Sequence, residues 1–381
     1  MYTIVVMRLV KNDKYRLSPT PEQEQIFRQW AGCRRFIWNW ALARRQAHYK
    51  DTGQSLSFKV LCQELTALKQ EVPWLKEADS QCLQQTLRDL DQAYANFFQK
   101  RSRFPRKKSR KRTPNAFRIP QRVKIADGKC LLPKIGTVPM VYHRPLDGTV
   151  KSATIKQEST EKWAVTFTSH HDIPDLIPTS VPDLIPTSVS DPIGIDLGLD
   201  TFVTLSTGEK RKAPRLFRKA QKQIRLAHRR FSRKKNHSRN QAKARKRLSQ
   251  VYARVRQRRN DYLHKLSHEL VQKHDVICLE DLNVSALAKT KLRGHSKSWL
   301  DSACGTFKRL LQYKCVWNFK RCVLIGRFFP STQICHACGE RGALTLSDRV
   351  WQCSCCQSVH DRDHNASINI LREGLRLLAL V

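Results

Sequence analysis

The stretch "IGIDLGLDTFVTLSTG", residues 193–208, sets an aspartate, Asp196, inside an otherwise apolar run with glycines close on either side. It reads as a buried strand, a turn and a second strand. A carboxylate left unpaired in such a core is costly. A bound metal ion removes that cost, so Asp196 is a candidate ligand. Downstream, the apolar strand "VICLE" closes on Glu280 in the same way. Asp363 sits at the start of a closing helix, in "HDRDHNASINI". An aspartate there can be a helix cap, a role that suits Asp361 better. Two strand carboxylates and one at a helix start suit hard divalent ions, Mg2+ or Mn2+. Two such ions about 4 Å apart would activate a water and stabilise the leaving oxygen of a phosphodiester. Asp200 and Asp281 are neighbours without that role. Strand alternation turns Asp281 away if Glu280 points inward.

Just before Asp363, Cys335-x2-Cys338 and Cys353-x2-Cys356 form two knuckles separated by fourteen residues. Each pair fits one tight turn, and together they offer Zn2+ a tetrahedral set of thiolates. Paired knuckles with Gly339 and Trp351 nearby favour zinc over an iron–sulfur cluster. Protein fills all four positions, so the zinc is structural. Cys355 and His336 are expected to be spectators. The eight cysteines elsewhere read as small buried hydrophobes.

The chain of 381 residues suits two or three domains, and 40% hydrophobic residues suffice for real cores. Its 71 Lys and Arg against 32 Asp and Glu give a formal charge of +39. Such a chain repels itself until a polyanion neutralises it, and nucleic acid is the partner implied. A membrane surface fits less well, because the charge recurs from Arg8 to Arg376 and is not gathered in one helix or tail. No apolar run reaches the ~20 residues that span a bilayer. The opening "MYTIVVMRLVK" is too short in apolar core for a signal peptide. Thirteen cysteines, an odd count, then argue for thiols and metal ligation in a reducing, cytosolic compartment.

Upstream, residues 3–17 carry a strand-like stretch. Thr20, Pro21 and Gln23 make a capping box with proline at the first helical position. The spacing predicts a helix carrying Ile26, Phe27, Trp30, Ala31, Ile37, Trp40 and Ala41 on one face. A second helix follows, with Leu83, Leu87, Leu90, Ala93, Phe97 and Phe98 as its apolar face. Residues 101–112 are a basic breaker, and 117–168 alternate as in a small β-barrel or sandwich. The N-terminal strand can complete that barrel, which makes the helical segment an insertion. "PDLIPTSVPDLIPTSV", residues 174–189, is one octamer written twice and reads as a semi-rigid linker. Between Lys210 and Asn260, in two long helical stretches, no acidic residue occurs, so intrahelical ion pairs cannot balance the charge.

"GIDLGLDTFVTLSTG", "ICLEDLNV", "STQICHACG" and the closing "DRDHNASINI", in this order, resemble TnpB, the RNA-guided nuclease family of insertion-sequence transposons related to type V CRISPR effectors. "KYRLSPTPEQ", "CRRFIWNWAL" and "LRDLDQAYANFF" extend the resemblance over nearly the whole chain. It implies a multidomain α+β fold. A β-barrel wedge domain (1–18 and 113–172) would carry an inserted helical recognition domain (19–112). A linker (173–191) would lead to a RuvC-like nuclease domain of ribonuclease H-like fold (192–333 and 359–381), interrupted by a zinc ribbon (334–358). The resemblance also implies Mg2+-dependent DNA cleavage by Asp196, Glu280 and Asp363, with Asn365 supporting them from behind.

The implied partners are a guide RNA from the transposon end and double-stranded target DNA, with no membrane. The protein would act as a monomer in the ribonucleoprotein, in a prokaryotic cytoplasm and on the nucleoid when bound to DNA. Ser80 and Gln84 would read a short motif beside the target. Arg103, Lys107, Lys108, Arg229, Arg230, Arg233 and Lys234 would hold nucleic-acid backbone. Departures are Gln357 where glycine is usual after the last zinc cysteine, "NAS" where "NAA" is common, and the lengthened linker. The rival readings are a strand-transfer transposase, which should carry an additional helix-turn-helix reader, a nuclease-inactive RNA-guided regulator, and a zinc-ribbon module without chemistry.

Overall fold

The computed structural model describes residues 8–172, 191–282, 303–345 and 348–379. The octamer repeat lies outside the described residues. The chain divides into two compact units, Met1–Asp175 and Leu176–Val381.

In the first unit, β1 (Arg8–Leu17) leads into α1 (Pro21–Thr52), α2 (Phe58–Glu71), a 3-10 turn (Pro73–Glu77) and α3 (Ser80–Phe98). Six strands follow: β2 (Ala116–Ile119), β3 (Lys124–Ala126), β4 (Lys129–Leu132), β5 (Gly136–Val141), β6 (Thr149–Gln157) and β7 (Trp163–Asp172). They form a seven-stranded sheet in the order β2-β6-β7-β1-β5-β4-β3. The helices are therefore inserted after the strand that lies mid-sheet. The capping box forms: Thr20 Oγ1 accepts from the Gln23 amide at 3.3 Å and Gln23 Oε1 from the Thr20 amide at 3.1 Å.

No break in packing separates helices from sheet. Phe27 and Trp30 of α1 set their rings edge-on against Phe117 of β2, at 5.7 and 5.3 Å, inside one continuous core. The expected apolar face of α3 buries Leu83, Leu87 and Leu90, but Phe98 is 73% exposed, because the helix end overhangs the core.

The second unit is built on β8 (Pro192–Asp196), β9 (Thr201–Leu205), β10 (Lys210–Lys212), β11 (Val276–Glu280) and β12 (Arg321–Ile325). Their order is β10-β9-β8-β11-β12. β8, β9 and β10 pair antiparallel, whereas β11 runs parallel to both β8 and β12. Before β11 come α4 (Leu216–Ser232) and α5 (Arg239–Lys273); α6 (Cys304–Trp317) precedes β12. The hairpin β13 (Val350–Gln352) and β14 (Val359–Asp361) leads into the closing helix α7 (Arg362–Ala379).

Side-chain alternation gives the sheet two different faces. Ile193, Ile195, Ile277 and Leu279 pack with Leu263, Leu266 and Phe307 of α5 and α6. Gly194, Asp196, Cys278 and Glu280 take the other parity, toward α7. The helix comes unusually close there. A Cβ on Gly194 would fall 2.0 Å from the Ser367 carbonyl oxygen, and one on Gly374 would fall 2.3 Å from Cys278 Sγ. One glycine on each partner thus lets α7 lie against β8 and β11.

Candidate functional site

The register that pairs Leu279 with Ile195 brings the next residues, Glu280 and Asp196, to the ends of adjacent parallel strands. Asp363, in the first turn of α7, meets them from the helix side. The three feel one another electrically. The Asp196 carboxyl is pushed up to about 8, first by desolvation and then by the negative charges of Glu280 and Asp363. Desolvation also raises Glu280, and the Ser331 hydroxyl, which donates to Glu280 Oε1, opposes that rise. Asp363 has the Arg362 guanidinium 3.3 Å from Oδ1 and that of Arg349 at 3.9 Å. Its side chain is 19% exposed.

Neighbouring acids differ in what faces them. Asp281 bonds Lys308 at 2.6 Å and Arg327 at 2.8 Å, and these two cations hold its carboxyl below the usual range. Asp200 pairs with Arg215 and Arg349. Asp361 pairs with Lys210 at 2.6 Å and caps α7 by accepting from the His364 amide at 3.0 Å. Among the described residues neither Asp196 nor Glu280 has an ion-pair partner. Two desolvated carboxyls without an ion pair, beside a third, form an oxygen donor set suited to a hard divalent ion, and the Arg362 charge only partly offsets the rise at Asp196.

The four cysteines gather more tightly. Their sulfurs all lie within 4.8 Å of one another, with Cys335 and Cys356 3.6 Å apart and Cys338 and Cys353 3.5 Å apart. A tetrahedron with Zn–S bonds of ~2.3 Å has edges of about 3.8 Å, so this set fits zinc. The two knuckles repeat one geometry. The Gly339 amide reaches the Cys335 carbonyl at 2.9 Å, and the Gln357 amide reaches the Cys353 carbonyl at 3.0 Å. Both fifth residues are left-handed, with φ +83° at Gly339 and +60° at Gln357. Cys355 is exposed and outside the cluster; His336 also stays out of it. His360, which the sequence did not mark, has Nε2 3.1 Å from Cys335 Sγ and can donate to that thiolate.

Asn365 contacts the segment behind the carboxylates. It bonds to no carboxylate: its amide accepts from the His336 backbone N–H at 2.9 Å and donates to the Ile334 carbonyl at 2.7 Å. Asn369 donates to the carbonyls of Ser331 and Ile334, and Arg372 to that of His336. The helix carrying Asp363 therefore grips the segment that runs from Ser331, at Glu280, to Cys335, at the zinc knuckle. Sequence reasoning missed Ser331 because a loop serine carries no local signal. Only its buried position, 3% exposed, and its partner reveal it.

The expected nucleic-acid residues fall into separate places. Ser80 opens α3 and is exposed, and Gln84 is half-buried one turn on. Arg103, Lys107, Arg229, Arg230, Arg233 and Lys234 are exposed. Arg230 and Lys234 line a groove of about 800 Å3 between α4 and α5, together with Lys243, Arg247 and Arg254. Lys108 differs from the others. Its ammonium lies 3.0 Å from the centroid of the Trp38 ring, and burial pushes it down to about 7. That side chain serves the fold of its loop rather than reaching for phosphate.

The structure defines a multidomain α+β protein with a structural zinc ribbon of four cysteines. The whole chain then finds relatives. It is 37% identical over 369 residues to a "Putative RNA-guided DNA endonuclease" of Streptomyces pristinaespiralis, covering 95% of this chain and 89% of that one. It is 31% identical over 391 residues to the "Putative RNA-guided DNA endonuclease InsQ" of Escherichia coli K12, covering 98% and 94%. The chain belongs to the TnpB family, OrfB of IS605.

Family models match in three places: "Probable transposase" at residues 177–291, "Cas12f1-like, TNB domain" at 305–370, and "Helix-turn-helix domain" at 7–54. In the last range the described structure is β1 followed by one uninterrupted helix of 32 residues, not two helices about a turn. A Cas12f1 chain solved with its sgRNA and target DNA shares the fold, with TM-score 0.60 at 12% identity over 95% of this chain and 98% of that one. Among the described residues no helix is long and apolar enough to cross a membrane.

Proposed function

We propose that this chain is an RNA-guided DNA endonuclease in which Asp196, Glu280 and Asp363 hold Mg2+ or Mn2+ and cut the target DNA. The observation that carries the reading is the Asp196 carboxyl, pushed up to about 8 by desolvation and by two neighbouring acids, although the Arg362 charge opposes the rise. When bound, divalent ions there would activate the attacking water and stabilise the leaving oxygen. The chain's own part is to hold the oxygens in place. Ser331 orients Glu280, Arg362 and Arg349 steady Asp363, and α7 fixes Asp363 against the ends of β8 and β11.

The basic α4–α5 hairpin suits a phosphate backbone, and base pairing with a guide RNA would supply sequence reading. Ser80 and Gln84 are proposed to read the target-adjacent motif, and the wedge, recognition and RuvC-like division of the chain belongs to the same proposal. The names of the two relatives support guided cleavage over strand transfer.

The test is cleavage of plasmid DNA by the purified protein with the RNA that copurifies with it. Cutting should require that RNA and Mg2+. Asp196→Asn should lose it by at least a thousandfold while keeping RNA binding. Wild-type cutting by Asp196→Asn would remove the carboxylates from the reaction, and joined rather than cut products would favour a transposase.

A further inference from the structure

The end of α3 carries four aromatic rings that the reading above leaves unused. Tyr94 and Phe98 lie 6.4 Å apart with their planes 25° from parallel. Phe97 meets Phe98 at 5.3 Å and Phe104 at 5.2 Å, and Phe104 closes the set on Tyr94 at 5.5 Å. Two of the rings face water, Phe98 at 73% and Phe104 at 40% exposure.

This exposure is held in place by the backbone. After α3 the chain turns back through Lys100 at φ +56°, and the Arg101 and Ser102 amides bond the Asn96 carbonyl at 2.8 and 3.1 Å. Further on, Trp38 Nε1 donates to the Arg106 carbonyl at 3.0 Å, and Asn39 bonds the Lys108 backbone in both directions. The backbone that carries the rings is thus fixed in advance, which lowers the ordering cost of binding.

Charge decides what such a patch can receive. Residues 100–112 hold nine Lys and Arg and no acid, and Arg101, Arg103, Arg106 and Lys107, within three residues of Phe104 in the chain, are exposed. A second copy of the chain would bring the same positive charge to the contact. A strand with phosphates on one side and flat bases on the other matches both halves. We infer that Phe98 and Phe104 form a stacking site for an unpaired nucleobase of single-stranded nucleic acid, with the surrounding cations holding its phosphates. The inference rests on the reading of the chain as a nucleic-acid binder and is independent of the carboxylates.

The experiment uses the full chain without added divalent ion and three 15-mer probes: oligouridine, oligothymidine and an abasic phosphodiester of equal charge. Phe98→Ala should weaken binding of oligouridine, oligothymidine or both by about tenfold. Phe98→Trp should restore it, and the abasic probe should bind wild type and Phe98→Ala alike. Whichever probe shows the loss identifies RNA or DNA as the source of the base. Equal affinity of wild type and Phe98→Ala for both base-bearing probes overturns the site, as does an equal loss for the abasic probe. A wild-type dimer in sedimentation that Phe98→Ala dissociates would assign the patch to a second copy instead. Failure of the wild type to bind any probe would refute the nucleic-acid reading itself, a different result from loss of the Phe98 effect.

Discussion

Asp196→Asn should stabilise the metal-free protein, and by an amount that grows with pH. The Asp196 carboxyl titrates at about 8 in the folded chain against 3.8 as its ordinary value. Between those limits the folded state holds a proton that the unfolded state has released. Unfolding then releases a proton, so stability falls as pH rises, by about 1.4 kcal/mol per pH unit. From pH 5.5 to 7.5 the wild type should lose ~3 kcal/mol relative to Asp196→Asn, which has no proton to lose at this position. In a unit of about 200 residues that is a gap in Tm widening by roughly 6–12 °C.

The assay is paired thermal melts across that range. Magnesium is removed on a chelating resin before the protein is added, so that the ribbon keeps its zinc. The negative charges of Glu280 and Asp363 are part of what holds the proton on Asp196. Adding Mg2+ should raise the wild-type Tm and leave Asp196→Asn nearly unmoved. A Tm difference that stays flat from pH 5.5 to 7.5 would refute the claim that Asp196 is forced to keep its proton.

The other predictions concern the ribbon and its link to the carboxylates. Gln357 holds φ +60° where the sister knuckle has glycine, so Gln357→Gly relieves that strain but loses the side-chain bonds to Ser354 and Gln352, and should change the stability of the zinc-bound protein by less than ~1 kcal/mol, read by thermal melts. Cys335→Ser should remove stoichiometric zinc, measured by atomic emission, and lower the yield of folded protein. Ser331→Ala removes the hydroxyl that opposes the raised Glu280 carboxyl. Glu280 should then ionise only at higher pH, which moves the acid limb of the cleavage profile upward; an unmoved limb would remove Ser331 from that role.

What the sequence revealed follows from which interactions are local. Asp196 and Glu280 stood out because an acid ending an apolar strand contradicts its surroundings, and the four cysteines because a knuckle closes within five residues. The capping box at Thr20 is equally local. α2 was not foreseen, since among its 14 residues only Leu61 and Leu65 are buried, too few to set a period. The single core shared by α1 and the strands depends on contacts such as Phe27 with Trp163, 5.0 Å apart in space and far apart in sequence. Lys108 read as a phosphate ligand by composition alone, and only the position of Trp38 shows where its charge goes.

Asn365 shows why a ribbon placed between the last strands and the closing helix is mechanically sensible. Had it bonded a carboxylate, one of the ties between the zinc segment and the carboxylate cluster would be missing. Instead Asn365, Asn369 and Arg372 bind the carbonyls and amides of residues 331–336, and that same segment presents Ser331 to Glu280 and Cys335 to the metal. Each hydrogen bond is worth about 1 kcal/mol alone, too little to fix a loop, but the thiolate cluster anchors one end of the segment. Loss of zinc should therefore free Ser331 and loosen Glu280 without touching any carboxylate. A ribbon that braces the carboxylates in this way predicts that Cys335→Ser and Ser331→Ala move the pH profile of cleavage in the same direction.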